Sequence, residues 1–311
     1  MILAAGRGTR LAPFTDWRPK PALPVRGLPV VAYLMEMLAA RGVREVIVNL
    51  HHLGGAMRAV VERYRPAGLE VCFSEEEKLL GTGGALRRAR PFLRESDPSL
   101  VLAGDMILDA DLEALVRRHR ERRDLATLLL RRDERAARFG TIGIDEEGAV
   151  RRIGRDFDLG GEAGEGLFVG VRCLAARAFD DMPETDAFED LRDWLAPRIR
   201  AGERDVRAES MADDAVWEPV GTPEEYLSAN LRLPHLSFID ADARARAGGA
   251  RLGPDWVVGA GADVDPGCVL ERAVIWDGEK VPPGTALRDG IFAGGAFHPC
   301  AERSAAGATD G

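Results

Sequence analysis

Short runs of consecutive apolar residues alternate with longer stretches in which apolar positions recur every three or four residues. Residues 1–5, 45–50, 69–73, 100–103 and 125–130 are of the first kind. Runs of that length predict strands buried on both faces. Residues 30–40, 54–64, 84–93 and 111–123 are of the second kind and predict helices, the first ending at Arg41-Gly42. Strand and helix therefore alternate, which predicts a mostly parallel sheet covered by helices. Right-handed crossovers bring the C-terminal ends of such strands to one edge. The loops after Ala5, Asn49, Phe73 and Ala103 are expected to open there.

From about residue 139 the rhythm changes. Residues 140–144 and 149–153 flank a turn at 145–148 and read as a hairpin, and 166–173 reads as a further strand. Residues 188–200 and 223–231 read as amphipathic helices, the second capped by Thr222. Further on, Val258, Val264 and Leu270 recur every six residues, and Val281 and Leu287 repeat the step. Pro266-Gly267 returns 17 residues later as Pro283-Gly284. This rhythm predicts a short left-handed β-helix-like segment of roughly two coils, fewer than the three or so that stand alone. It is expected to lean on the main domain or on another subunit. The fold class is thus α/β: a Rossmann-like, mixed, mostly parallel sheet with helices on both faces, plus this C-terminal segment. The expected boundaries are a main domain at 1–235, with halves at about 1–135 and 136–235, then a linker and β-helix at 236–297. Residues 298–311, small, polar and glycine-rich from Ala301, are expected to be a disordered tail.

Composition narrows the chemistry. A net charge of −9 over 311 residues argues against a nucleic-acid or anionic-membrane surface, so an anionic substrate needs a local basic pocket. No apolar run approaches the ~20 residues of a membrane span, and no signal peptide opens the chain. Cys72, Cys173, Cys268 and Cys300 are scattered, which fits reduced thiols in a cytoplasmic protein.

The candidate pocket is the loop after the first strand. Leu3-Ala4-Ala5-Gly6-Arg7-Gly8-Thr9-Arg10-Leu11 ends an apolar run in a glycine turn, where an open α/β sheet places its ligand. Turn amides can converge on an anion, and Arg7, Arg10 and Lys20 bring cations to the same loop. The third glycine of the dinucleotide fingerprint is missing, and no P-loop occurs. Lys20 lies between two prolines and is one of only three lysines among 42 basic residues. A compact ammonium is not interchangeable with a planar guanidinium. The segment reads as a polyphosphate site.

Together with Pro13, Thr15, Pro19-Lys20-Pro21 and Leu23-Pro24-Val25, this segment resembles the signature of the sugar-1-phosphate nucleotidyltransferases. Further matches are Gly81-Thr82-Gly83-Gly84, Ala103-Gly104-Asp105, Phe139-Gly140 and Glu165-Gly166, then Trp217-x-x-Val220-Gly221-Thr222-Pro223-Glu224-x-Tyr226 and Ala229-Asn230. The resemblance implies Mg²⁺-dependent transfer of a nucleotidyl group from an NTP to a sugar 1-phosphate, giving an NDP-sugar and pyrophosphate. Its partners would be those two small molecules, with no nucleic acid or membrane, and a homo-oligomer is possible. It implies Arg10, Lys20 and Asp105 as catalytic residues, and Leu3, Ala4, Ala5, Gly6, Gly8, Thr9, Gly81, Thr82 and Gly83 as nucleotide contacts. Gly140, Arg155, Glu165 and Gly166 would bind the sugar phosphate, and Asp105 with Glu218 the metal. His51-His52 reads as a packed or capping pair.

The resemblance departs in two places. Relatives carry a metal-binding aspartate immediately before Val-Gly-Thr, where this chain has Pro219. They often carry Glu-Lys-Pro where this chain has Ile153-Gly154-Arg155-Asp156-Phe157, leaving Arg152 or Arg155 to supply the cation. The alternative function is a catalytically impaired relative that binds an NDP-sugar as a regulatory subunit.

Overall fold

The computed structural model describes residues 1–136, 140–155 and 157–300. Its main sheet has ten strands. Ile2–Leu3 lies between Glu45–Leu50 and Ser99–Ala103, and Glu70–Glu75 flanks Glu45–Leu50, all in parallel. Val46, Val48, Leu50 and Leu102 share one core with Val31, Leu34, Met35 and Leu38 of helix Val30–Ala40. Met1, Val101, Leu128 and Leu130 share another with Ala85 and Leu86 of helix Gly81–Arg88 and with Trp194 and Ile199. The sheet is therefore buried on both faces, which is why its strands read as unbroken apolar runs.

Beyond Ser99–Ala103 the sheet turns antiparallel. Gly164–Leu174 runs against Ser99–Ala103 on one side and Ala126–Arg131 on the other. Its first residues pair with Ile142–Ile144, and the sheet continues through Val150–Ile153 to Phe157–Asp158. The register against Ala126–Arg131 shifts between Phe168 and Arg172. Gly170 stands inside that shift at φ +85°, where a Cβ would meet the Ala103 Cβ at 2.7 Å. A glycine lets the long strand bend close to the neighbouring strand end.

The predicted helix at 84–93 is two pieces, Gly81–Arg88 and Arg90–Leu93. Pro91 has no N–H to continue the ladder, so it serves only at the start of the second piece. The predicted helix at 188–200 opens as a π-helical turn, Asp190–Leu195, and becomes α-helical over Ala196–Arg200. The strands Met106–Asp109 and Val216–Pro219 pair with each other antiparallel and carry no strong local signal. Each is four residues long, and its partner is far away in sequence.

In the C-terminal segment Val257, Val274 and Ile291 lie side by side in parallel, at the spacing of the two Pro-Gly corners. Asp263–Val264 and Lys280–Val281 form the opposing pair. Antiparallel strands Arg251–Leu252 and Ala296–Pro299 close the two ends. Val257, Val274, Trp276 and Ile291 pack into one cluster with Leu11, Phe14 and Tyr226 of the main domain. The Trp276 indole N–H donates to the Tyr226 hydroxyl at 2.9 Å, and that hydroxyl donates to the Pro24 carbonyl at 2.7 Å. Each such large apolar side chain contributes about 1.5–3 kcal/mol when fully buried, so two coils suffice once they share this core. Residues 298–300 are ordered, contrary to the expected tail: His298 and Pro299 end a strand and Cys300 is buried. Residues 301–311 lie outside the described residues.

Candidate active site

The parallel strand ends open into a cleft of about 750 Å³. Leu3, Ala4, Ala5, Gly6, Gly8, Thr9, Arg10, Lys20, Gly81, Thr82 and Asp105 all line it. Ile2–Leu3 is only two residues long, so the chain leaves the sheet at once. The Ala4 amide donates to the Asn49 side-chain oxygen at 2.6 Å, which pins the exit to the neighbouring strand. Gly8 has φ +64°, and the Thr15 hydroxyl donates to its carbonyl at 3.0 Å. A Cβ on Gly8 would stand 2.8 Å from Thr15 Cγ2 and 3.1 Å from Lys20 Cβ. Glycine is needed here twice, for its φ and for the approach of Lys20. Among the described residues, none accepts a hydrogen bond from the amides of Gly6, Arg7 or Gly8. Unspent amides in a turn form an anion-binding concavity.

Lys20 stands in the short 3-10 turn Lys20–Ala22 and is buried. Its Nζ donates to Asp105 Oδ2 at 2.5 Å. The Lys20 side chain is 11% exposed and that of Asp105 42%, so the carboxylate faces the opening. Gly104 makes this possible: its amide donates to the Leu3 carbonyl at 2.8 Å, and a Cβ there would meet that oxygen at 2.5 Å. The strand tip can thus press against the glycine turn. Arg10 is exposed, with one Nη 3.5 Å from where a Gly221 Cβ would be.

The glycine run at 81–84 divides between the cleft and the packing behind it. The Gly83 and Gly84 amides donate to the Phe188 carbonyl at 2.9 and 3.2 Å. A Cβ on Gly83 would collide with the Phe188 ring, and one on Gly84 with the Asp186 carbonyl. Gly83 is buried and does not line the cleft. These glycines admit the segment at 186–189, and only Gly81 and Thr82 face the opening.

The expected sugar-phosphate residues are elsewhere. None of Gly140, Arg155, Glu165 and Gly166 lines the cleft. Arg155 and Gly140 are exposed, and Gly166 is buried, where a Cβ would stand 2.9 Å from the Leu130 Cβ. Glu165 accepts from the Thr141 hydroxyl at 2.6 Å and pairs with Arg152 at 2.5 Å. Arg152 also pairs with Glu162 at 2.6 Å, so it serves the hairpin. Phe139 and Asp156 lie outside the described residues. The same long strand reaches the cleft further along, through Phe168, Gly170 and Arg172.

Glu218 does not line the cleft either, its neighbours Trp217 and Pro219 are buried, and burial raises its own carboxyl pKa. Among the described residues, no group of three His, Cys, Asp or Glu side chains could hold a metal. Asp105 offers a carboxylate to the cleft within contact of Lys20, beside the glycine turn. A magnesium ion is commonly held by one or two carboxylates plus substrate phosphates, so the donor set fits an ion completed by a bound triphosphate.

Several lining residues had no local signal. Asn49 bridges Ala4 to Glu76, its side-chain N–H donating to Glu76 Oε1 at 2.7 Å, and the Leu80 amide donates to the other Glu76 oxygen at 3.2 Å. Glu189 and Asp193 also line the cleft. Hydrogen bonding from Arg192 holds the Asp193 carboxyl down at about 2. His51 and His52 lie against the Glu76 and Thr15 carbonyls at 2.9 Å, as a packed pair does. All four cysteines are free thiols, and Cys72 is exposed.

A sheet whose strand ends present an unspent amide turn, a buried lysine and an exposed carboxylate forms a cleft suited to an anionic ligand. Residues 1–235 match the family model described as Nucleotidyl transferase. The chain belongs to that family and is a nucleotidyltransferase of its sugar-1-phosphate branch. It is 30% identical over 299 residues to the mannose-1-phosphate guanylyltransferase of Mycobacterium tuberculosis, covering 92% of this chain and 82% of that protein. It is 24% identical over 340 residues to the UTP–glucose-1-phosphate uridylyltransferase of Synechocystis, covering 94% and 87%. Among solved structures, HddC from Yersinia pseudotuberculosis complexed with GMP-PN superposes with a TM-score of 0.63 at 27% identity, covering 75% of this chain and 98% of that one. Nucleotidyl transferases of this family commonly use a divalent metal. Among the described residues, no helix is long and apolar enough to cross a membrane.

Proposed function

We propose that the sugar 1-phosphate attacks the α-phosphorus of the NTP inside this cleft, releasing pyrophosphate and an NDP-sugar. The observation that carries the reading is the Lys20–Asp105 contact at 2.5 Å beside the amides of Gly6 and Gly8. Those amides and Thr9 cradle the triphosphate, and Arg10 meets the leaving pyrophosphate. Lys20 sits where the α-phosphate and the incoming phosphate share charge, and Gly81 and Thr82 meet the base. No protein nucleophile is needed, because positioning and charge stabilisation do the work. Asp105 would hold Mg²⁺, which when bound neutralises charge on the phosphate oxygens. Before that, Lys20 keeps the carboxylate from standing unpaired.

Guanylyl and uridylyl relatives both cover nearly all of this chain. The higher identity to the guanylyltransferase makes GTP with mannose 1-phosphate the first pair to assay. Pyrophosphate release is measured over a panel of NTPs and sugar 1-phosphates with Mg²⁺. Turnover with at least one pair is expected, and none from folded protein refutes the proposal. Pro219, which cannot supply a carboxylate, favours the second reading of a binding relative without turnover. NDP-sugar binding with no turnover, and activity appearing in Pro219→Asp, would establish it.

A further inference from the structure

Arg172 lines the cleft and forms an ion pair with Asp190 behind it that the chemistry above leaves unused. Arg172 Nε lies 2.5 Å from Asp190 Oδ2, and the side chains are 4% and 3% exposed. Arg172 Nε and Nη1 and Asp190 Oδ2 have no aligned hydrogen-bond partner, so the two groups meet as charges. The guanidinium also stands 5.2 Å from the centre of the Phe168 ring. A buried pair contributes little net stability, because both ions give up their water. It fixes position instead.

Arg172 is anchored in the sheet, between Val101 and Leu128. Asp190 opens the π-helical turn, and its Oδ1 accepts from the Thr82 hydroxyl at 2.5 Å. The Asp190 amide donates back to that hydroxyl at 3.1 Å. The preceding Phe188 carbonyl takes the Gly83 and Gly84 amides. A continuous set of contacts thus runs from the sheet through Asp190 to the start of helix Gly81–Arg88.

We propose that Arg172 is a positioning residue for the nucleotide loop. Its charge draws Asp190 against the sheet, which sets Thr82 and the turn on which the base end of the NTP rests. The inference rests on the nucleotidyl-transfer reading, and it concerns the NTP rather than the sugar 1-phosphate.

Arg172→Met alone strands Asp190 as a buried, unpaired charge and endangers the fold. The double variant Arg172→Met/Asp190→Leu removes both charges together, and Thr82→Val removes the hydroxyl contacts to Asp190 and Glu189 while keeping the pair and the Phe188 contacts. Initial rates are taken with each substrate varied in turn, beside melting curves with and without NTP. The double variant is expected to raise the KM for the NTP about tenfold through misplacement of the loop, and to leave the KM for the sugar 1-phosphate unchanged. Thr82→Val is expected to shift the same KM by less. An unchanged NTP KM in either folded variant overturns the inference, as does a rise confined to the sugar 1-phosphate. If the parent shows no melting shift with any NTP, the underlying reading fails as well. If the parent shifts and the double variant shifts equally, only this inference fails.

Discussion

The parallel half of the sheet and its antiparallel half treat the same kind of sequence clue differently. In the parallel half, the glycine turn, Lys20 and Asp105 come from separate segments and meet in one cleft. In the antiparallel half, Gly140, Arg155, Glu165 and Gly166 are just as recognisable, yet none lines that cleft. The difference is one of strand direction. Parallel strands all end on the same edge, so a residue just past any of them faces the same opening. Antiparallel strands end alternately at opposite edges, so a position just past a strand says little about where its side chain lies. Ion pairing reinforces this: Arg152 is committed to Glu162 and Glu165 within the hairpin.

The largest expected effect lies at the parallel edge. Lys20→Ala and Asp105→Ala should each lower kcat by roughly 10²–10³-fold, the loss typical of removing one preorganised charge-stabilising group. Steady-state pyrophosphate release measures it. A change under tenfold in both would break the comparison, since the convergence would then carry no chemistry.

Next comes packing beneath the nucleotide loop. A Cβ on Gly83 has no room beside the Phe188 ring. Gly83→Ala should therefore destabilise the fold by about 1–3 kcal/mol, as overpacking does. Denaturant unfolding reads this directly. A neutral substitution would return Gly83 to the role of a base contact.

A third expectation concerns pH. His119, on helix Leu112–Arg122, is buried, with its Nδ1 2.8 Å from the Thr127 hydroxyl. That hydroxyl donates to Asp124 Oδ2 at 2.9 Å, so it accepts from the histidine Nδ1–H. Burial lowers the imidazole pKa from 6.5 to about 4. Below pH 6.5 the unfolded chain takes up a proton that the folded chain refuses. Stability should therefore fall as pH drops from about 6.5 to about 4, by on the order of 1–3 kcal/mol in all. Melting curves across that range should show the slope, and His119→Gln should flatten it. An equal slope in the variant would assign the acid sensitivity to other groups.

The smallest effects sharpen the comparison from the other side. Arg155→Ala and Glu165→Ala lie outside the cleft and should change the KM for the sugar 1-phosphate by less than about threefold, within the range of surface substitutions. A tenfold rise in either would bring the hairpin to the ligand and erase the contrast between the two halves.

Much of the fold was legible in the sequence because it rests on local periodicity. Helices Val30–Ala40 and Gly54–Tyr64 and strand Glu45–Leu50 fall where the apolar pattern predicts them. The 17-residue return of the Pro-Gly corners equals the offset at which Val257, Val274 and Ile291 pair. Strands Met106–Asp109 and Val216–Pro219 were not legible, because their stability comes from a partner distant in the chain.

By itself the sequence determined the glycine turn, the rare lysine between two prolines and the carboxylate after an apolar strand, since each is a residue type at a local position and needs no knowledge of its neighbours. Only the tertiary structure decided that Gly83 makes room for Phe188 and Gly84 for the Asp186 carbonyl, that Glu218 does not line the cleft, and that Arg172 meets Asp190. These depend on register, strand direction and close approach between distant segments, and no local pattern encodes them.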